Sequence, residues 1–313
     1  MKQFLLAHLI CPACLPAEMP LEVSAKRVEG DDIVTGELCC KKCRRRFPIR
    51  EGIAILLADP DACSTGGQMR YEESDTVSRY LWSHYADLAG NAEVAEANAA
   101  WGGCLADKAA AAFDAGCAVG RLTFEMAARS GWAVGCDLSH NFIRTARRLA
   151  RERSYRFSLQ LEGNLRESFH CELPAVLRSD NVEFVVANAL AIPFARHTFQ
   201  QTASLNLLDR VSYPMAHLYE MNRVAQQADA SFLFADPFSW CTSAAPEERW
   251  LGGTAAGKYA GRGLDNVRAL LEGKDKVLLP PWKITSQGCV AWRMRSHANH
   301  REIISSAYLC AER

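Results

Sequence analysis

Two groups of residues have the types and the spacing for chemistry. The first is a pair of pairs, Cys11-Pro-Ala-Cys14 and, after twenty-five intervening residues, Cys40-Lys-Lys-Cys43. Thiolates two residues apart on a tight knuckle can reach one ion, and two such knuckles supply the four sulfurs of a tetrahedral Zn2+ site. Cys39 adjoins Cys40, but only Cys40 has the two-residue spacing to Cys43. A redox Cys-x-x-Cys would open a helix in a thioredoxin-like βαβ unit, and no such pattern surrounds these pairs. The second group is Gly116, Ala118 and Gly120, followed by Asp137-Leu138. Small residues at a turn let backbone N–H groups approach a ligand, and a helix N-terminus behind them favours negative charge. An acid at the tip of the next strand can accept hydrogen bonds from a ribose. The glycines alone would suit an ordinary βαβ turn; Asp137, in register with apolar flanks, favours a nucleotide-like ligand.

The elements that must position these residues follow from pattern. Residues 111–115 read as a short apolar strand, 122–129 as a helix and 132–136 as a second strand ending on Asp137. Residues 141–152 form a basic amphipathic helix with its arginines expected in solvent, and 155–161 alternate as a strand. Residues 182–187 are a buried strand that ends at Asn188-Ala189. Strands over 198–208 and 231–235 and a helix over 213–224 come next, with Asn206, Asp209 and Arg210 at a strand exit. Asp265 is the expected N-cap of a helix over 266–271, and 290–295 with 303–310 read as a final antiparallel pair. Alternating strands and helices mean an α/β fold on a parallel sheet, in which ligands bind outside the carboxyl ends of the strands.

Before the first of these strands, residues 71–88 are helical, with Val77, Tyr80, Leu81, His84 and Tyr85 on one face. Such a stripe serves as core packing or as a lid over a pocket. Residues 59–70, rich in Pro, Ser, Thr and Gly, read as a linker between a unit at 1–58 and a larger one at 71–313. The loop over 247–263, which carries Trp250, is long enough to be functional.

With 36 basic and 36 acidic residues in 313, the net charge is zero, so a general polyanion-binding surface is not indicated. Lys41, Lys42, Arg44, Arg45 and Arg46 still make a local basic knuckle: a solvated hairpin tip, or a contact to RNA phosphates. No apolar run has membrane-spanning length. The apolar stretch near the start is short and broken by His8, and is not read as a secretion signal. Thirteen cysteines in that setting imply reduced thiols and a cytoplasmic protein.

Two resemblances add to this. The strings L-L-x-x-L-I-C-P-x-C at 5–14 and G-x-L-x-C-x-x-C-x-R-x-F-P-I-x-E-G-I-x-x-L-L at 36–57 resemble the small zinc-binding activators of tRNA and peptide-release-factor methyltransferases. That resemblance implies a β-rich module with structural Zn2+ on Cys11, Cys14, Cys40 and Cys43. D-x-G-C-x-x-G at 114–120 with G-x-D-x-S at 135–139 resembles class I S-adenosylmethionine methyltransferases. D-x-G-C-A-V-G-R at 114–121, L-N-L-L-D-R-V at 205–211 and W-L-G-G at 250–253 resemble, more narrowly, the mercaptohistidine N-methyltransferases of ovothiol biosynthesis.

Together they imply a Rossmann-like, seven-stranded class I methyltransferase sheet behind a small zinc-binding domain, with S-adenosylmethionine as donor. Gly116, Ala118 and Gly120 would lie against the methionine portion, Asp137 on the ribose and Asn188 near the adenine, with Leu138, Ala189 and Asn206 completing the cofactor set. Tyr80, Tyr85, Arg210 and Trp250 would meet the acceptor, and His84 or Asp209 would serve as a base where one is needed. Three readings follow: methyl transfer to nitrogen or sulfur of a small imidazole- or thiol-bearing molecule; methyl transfer to RNA or protein docked on the zinc module; and a non-catalytic, zinc-stabilised binding protein.

Overall fold

The computed structural model describes residues 1–59 and 66–313. The first unit lays four antiparallel strands side by side: β1 (Leu21–Glu29), β2 (Asp32–Cys40), β3 (Arg46–Arg50) and β4 (Ile53–Leu56). A helical stretch follows, with α1 (Gly66–Met69), α2 (Ser74–Tyr85) and α3 (Ala92–Gly103). Then come β5 (Ala109–Ala115), α4 (Arg121–Ala128), β6 (Ser130–Asp137) and α5 (His140–Glu152). A hairpin of β7 (Ser154–Glu162) and β8 (Leu165–Glu172) precedes β9 (Val182–Ala187) and β10 (Gln201–Leu205). The chain closes with α6 (Pro214–Val224), β11 (Ser231–Asp236), α7 (Gly263–Leu271), β12 (Lys283–His297) and β13 (His300–Glu312).

Among the described residues all thirteen strands join one mixed sheet, ordered β1-β2-β3-β4-β9-β6-β5-β10-β11-β13-β12-β7-β8. Its centre, β9-β6-β5-β10-β11, is parallel, and β13 runs antiparallel against β11. Parallel strands covered on both faces need apolar residues throughout. The run VEFVVA is accordingly buried at every position. Asn206 takes a left-handed backbone (φ 55°), which stops β10 short of the expected 208. The final pair is longer than expected, running from Lys283 opposite Glu312 to His297 opposite His300 with register shifts between Ile284 and Ser286 and between Arg295 and His297.

Two sequence expectations are extended, the first and third below, and two are corrected. First, the 1–58 unit is not merely tethered. Ile55 and Leu56 pair in parallel with Val186 and Ala187, so its last strand extends the large sheet, and Ile10 N–H donates to Pro193 O at 3.0 Å. Leu38, Phe47, Val185, Phe194 and Leu218 belong to one continuous apolar core. Second, the arginines of α5 do not all face solvent. Arg144, Arg148 and Arg151 do, but Arg147 is buried, bonded to Asp32 Oδ2 at 2.7 Å and to Glu183 Oε1. It lies where α5 crosses β9 beside the zinc module, and a buried guanidinium requires such carboxylate partners. Third, the strand at 155–161 is one arm of a hairpin whose second arm pairs with it from Glu172 to Leu165. Fourth, Arg262, not Asp265, occupies the N-cap of α7. Asp265 sits in the first turn, where its charge favours the positive end of the helix. Of the expected linker, residues 60–65 lie outside the described residues, and 66–69 form α1.

The segment before β5 forms a cap. Tyr85 is fully buried and its hydroxyl donates to Val119 O at 2.8 Å. Arg121, opening α4, donates to His84 O at 2.9 Å and pairs with Asp87 at 2.8 Å. These bonds fix the end of α2 over the turn that follows β5. Among the described residues no helix is long and apolar enough to cross a membrane.

Candidate functional site

The four cysteines of the two knuckles converge. Their sulfurs lie within 4.8 Å of one another, with 3.6 Å between Cys11 and Cys43 and 3.7 Å between Cys14 and Cys40. Zn–S bonds of about 2.3 Å in a tetrahedron put neighbouring sulfurs about 3.8 Å apart, so the set fits structural Zn2+. Each knuckle is a tight turn: Cys14 N–H donates to Cys11 O at 3.1 Å and Arg44 N–H to Cys40 O at 2.9 Å. Cys39 pairs across β2 with Glu22 and Arg46, and the two-residue period of the strand sends it to the face opposite Cys40.

At the carboxyl ends of the parallel strands, the turn after β5 carries a left-handed backbone at Gly116 (φ 71°), Ala118 (φ 47°) and Gly120 (φ 88°). A Cβ at Gly120 would stand 2.7 Å from the Phe184 ring, so this glycine lets α4 approach β9 closely. A Cβ at Gly116 would press on Leu207, the residue after Asn206. Asp137, at the end of β6, accepts from Ala118 N–H at 3.1 Å and Ser139 N–H at 2.8 Å. Burial, reinforced by the nearby Glu72, pushes its carboxyl up to about 6. Below it, Asp114 accepts from Thr123 Oγ1 at 2.7 Å, and burial pushes its carboxyl up to about 7. A half-buried acid held by backbone N–H groups can receive the hydroxyls of a ribose, so these residues fit an S-adenosylmethionine donor.

Register brings the next candidates alongside. Asp137 is opposite Val186, so Asn188 leaves the adjacent strand end. Asn188 Oδ1 caps its own turn at Leu190 N–H, 2.9 Å away. Ala189 is buried, and its carbonyl meets His217 Nδ1 at 3.2 Å. Leu138 lies in the loop between Asp137 and Ser139. Asn206 is turned to β13 instead: its Oδ1 accepts from Ser306 Oγ at 2.5 Å.

A strap from the cap crosses this edge. Glu72 accepts from His140 N–H at 2.9 Å and Asn141 N–H at 3.1 Å, and Ser139 Oγ donates to Tyr71 O at 3.0 Å. The Tyr71, Tyr80 and Phe142 rings cluster there, Tyr80 lying 4.7 Å from Phe142 between centroids. Tyr80 is close enough to Asp137 and Arg210 to feel both charges, and burial raises its phenol. Arg210 pairs with Asp209 at 3.1 Å, while Asp209 Oδ2 accepts from Ser239 N–H at 2.7 Å. Asp209 and Asp236 are both buried, and desolvation raises both carboxyls. Trp250 stacks on Trp240, 6.1 Å between centroids, and donates from Nε1 to Ala245 O at 2.8 Å.

Tyr80, Asp137, Arg210 and the loop after β11 therefore meet at one mouth. Two candidates do not join them. The Tyr85 hydroxyl is committed to Val119 O. His84 is 5.8 Å from the Tyr80 ring between centroids, but burial and Arg121 lower its pKa to about 4. Among the described residues its Nδ1 has no hydrogen-bond partner. Sequence reasoning missed Glu72, Trp240 and Asp236. Glu72 had a local signal, an acid next to a tyrosine just ahead of an aromatic helix; Asp236 had one in ending its strand as Asp137 ends β6.

Residues 2–52 match the family model described as Trm112p-like protein, and residues 113–228 match the one described as a methyltransferase domain. The chain is an S-adenosylmethionine-dependent methyltransferase. It joins that domain to a Trm112p-like one carrying the four-cysteine cluster. Among curated proteins none matches it. Similar solved structures include S-adenosylmethionine-dependent methyltransferases from Methanosarcina mazei, 17% identical over 67% of this chain and 95% of that one, TM-score 0.43. A chain in the complex between the Haloferax volcanii Trm112 methyltransferase activator and the putative methyltransferase is 11% identical over 77% and 97%, TM-score 0.44. A putative methyltransferase from Bacillus halodurans is 12% identical over 68% and 97%, TM-score 0.42.

Proposed function

We propose that the chain transfers the methyl group of S-adenosylmethionine to a nitrogen or sulfur of a small imidazole- or thiol-bearing acceptor. The observation that carries this reading is the strap: Glu72 and Tyr71 bond across the Asp137–Asn141 edge, and the half-buried Tyr80 ring packs on Phe142 just beyond it. A cleft covered in this way suits a small acceptor better than a polymer. The narrower resemblance to mercaptohistidine N-methyltransferases, which rests on the sequence strings, supplies the imidazole and thiol classes.

In this reading Gly116, Ala118 and Gly120 shape the turn under the methionine portion, Asp137 and Leu138 hold the ribose, and Asn188 and Ala189 border the adenine. Bound there, the donor supplies an electrophilic methyl. Tyr80, Arg210 and the Trp240–Trp250 stack orient the acceptor, and positioning dominates such a displacement. Asp209, raised by burial, suits a base better than His84, whose imidazole is held neutral and weakly basic. A neutral azole or a thiolate needs no base. Residues 1–58 act as a fixed flank of the 71–313 domain, and we place the reaction in the cytoplasm, where thiols stay reduced.

The test is donor consumption against a panel of metabolites that includes thiol-histidine compounds, with RNA and peptide controls. Turnover with a small imidazole or thiol is the expected result; turnover with RNA or peptide alone overturns it. The second reading, a docked RNA or protein, draws on the Trm112p-like match and on the exposed Lys42, Arg44 and Arg45. It requires salt-sensitive RNA binding that is lost when Arg44–Arg46 are neutralised. Donor or demethylated product bound to purified protein argues against the non-catalytic reading.

A further inference from the structure

At the end of the sheet opposite the cofactor turn, a cleft of about 540 Å3 opens between α3 and the starts of β10 and β11. Two cysteines from distant parts of the chain face each other there: Cys104, the residue that ends α3, and Cys310 on β13, opposite Leu233 and Ser286. Both are free and half-buried, and each perturbs the other's proton. Gln201 and Ser231 line the same cleft, and their buried Oε1 and Oγ atoms have no hydrogen-bond partner among the described residues. The cleft gives small solutes a route to the two half-buried thiols. Cys289 also lines the cleft, but its sulfur is engaged with Ser305 Oγ at 3.0 Å.

We propose that Cys104 and Cys310 form a redox-active dithiol that closes to an intramolecular disulfide on reaction with hydrogen peroxide. Hydrogen bonds from Cys104 and Ser286 lower the Cys310 thiol, so Cys310 is the more readily ionised of the two and Cys104 keeps the shared proton. The Cys310 sulfur attacks one peroxide oxygen; the O–O bond breaks, hydroxide leaves, and Cys310 becomes a sulfenic acid. Cys104 then displaces the sulfenic oxygen as water, forming the S–S bond. In sum two thiols lose two electrons and two protons, and peroxide becomes two waters. The product staples the end of α3 to β13. Because Asn98 on α3 donates to His84 O at 3.2 Å, the staple restrains the helix pair that forms the cap.

The test uses the full zinc-loaded chain. After limiting peroxide and alkylation, peptide mapping should show Cys104 joined to Cys310, reversed by dithiothreitol. In C104S, Cys310 should persist as a sulfenic acid trapped by dimedone. Hydrogen exchange in α3 should slow on oxidation in the natural chain and not in C104S. If both residues stay alkylatable in the natural chain while the cysteines of the metal cluster oxidise, or if Cys310 pairs with another cysteine, the proposal is wrong.

Discussion

In the proposed function, the donor half and the acceptor half of the site are built in different ways. The donor half is contiguous: Gly116, Ala118, Gly120 and Asp137 lie in one βαβ unit, and Ala118 N–H bonds Asp137 across a single turn. The acceptor half is assembled from three distant segments, with Tyr80 on α2, Asp209 and Arg210 after β10, and Trp240 and Trp250 after β11. Those segments meet because α2 is bolted to α4 by Arg121 and Tyr85. A locally closed unit needs only its own turn to be correct, whereas an assembled one depends on anchors that touch no ligand.

The sharpest break of this comparison is Asp137→Ala. Donor binding measured by calorimetry should fall by about two orders of magnitude or more while the fold persists, since a lost charge-assisted pair of hydrogen bonds is worth roughly 3 kcal/mol or more. Unchanged donor affinity would mean that the contiguous half does not hold the donor. Next comes Arg121→Met. It leaves Asp87 without its guanidinium and frees the cap, so stability should drop by about 2–3 kcal/mol in urea unfolding. The acceptor KM should rise more than the donor Kd; an equal effect on both would erase the distinction between the halves.

Smaller still is Tyr85→Phe, which removes one buried hydrogen bond and should cost about 1 kcal/mol of stability with acceptor KM unchanged. A KM effect without a stability effect would return Tyr85 to the acceptor set.

The last prediction concerns pH. Donor affinity needs Asp137 ionised, so it should fall as pH drops below about 6. Stability has the opposite sign for this group. Its folded pKa lies above the unfolded value, so the folded donor-free chain holds more protons between about 4 and 6, and this group stabilises it as pH falls through that window. Half-buried His84 and buried His217, both lowered to about 4, act the other way, so the readout is a difference between chains. Asp137→Asn should be the more stable donor-free chain at pH 7, by on the order of 2 kcal/mol, with the gap closing below pH 4.

Legibility in the sequence followed the same division. The cysteine knuckles, the turn after β5, Asp137 and the run VEFVVA were readable because spacing and period act within a few residues. Tyr85 was placed on the correct helix face but given an acceptor role, because periodicity finds a buried stripe without saying which atom its polar tip will meet. Arg147 was read as solvated because a basic helix carries no mark of the carboxylates that Asp32 and Glu183 bring from other strands. The β7–β8 hairpin went half unread because its second arm, LRESFHCE, is mostly exposed and lacks an apolar alternation.

By itself the sequence determined the alternation of strands and helices, the two cysteine knuckles and the small-residue turn after β5 with its acid, since each is a local arrangement of backbone and neighbouring side chains. Only the tertiary structure decided that β4 extends the large sheet, that the cap closes over Asp137, and that Cys104 meets Cys310. Those are pairings between segments far apart in the chain, set by which apolar faces and buried charges can be satisfied together, and no short window of residues contains that information.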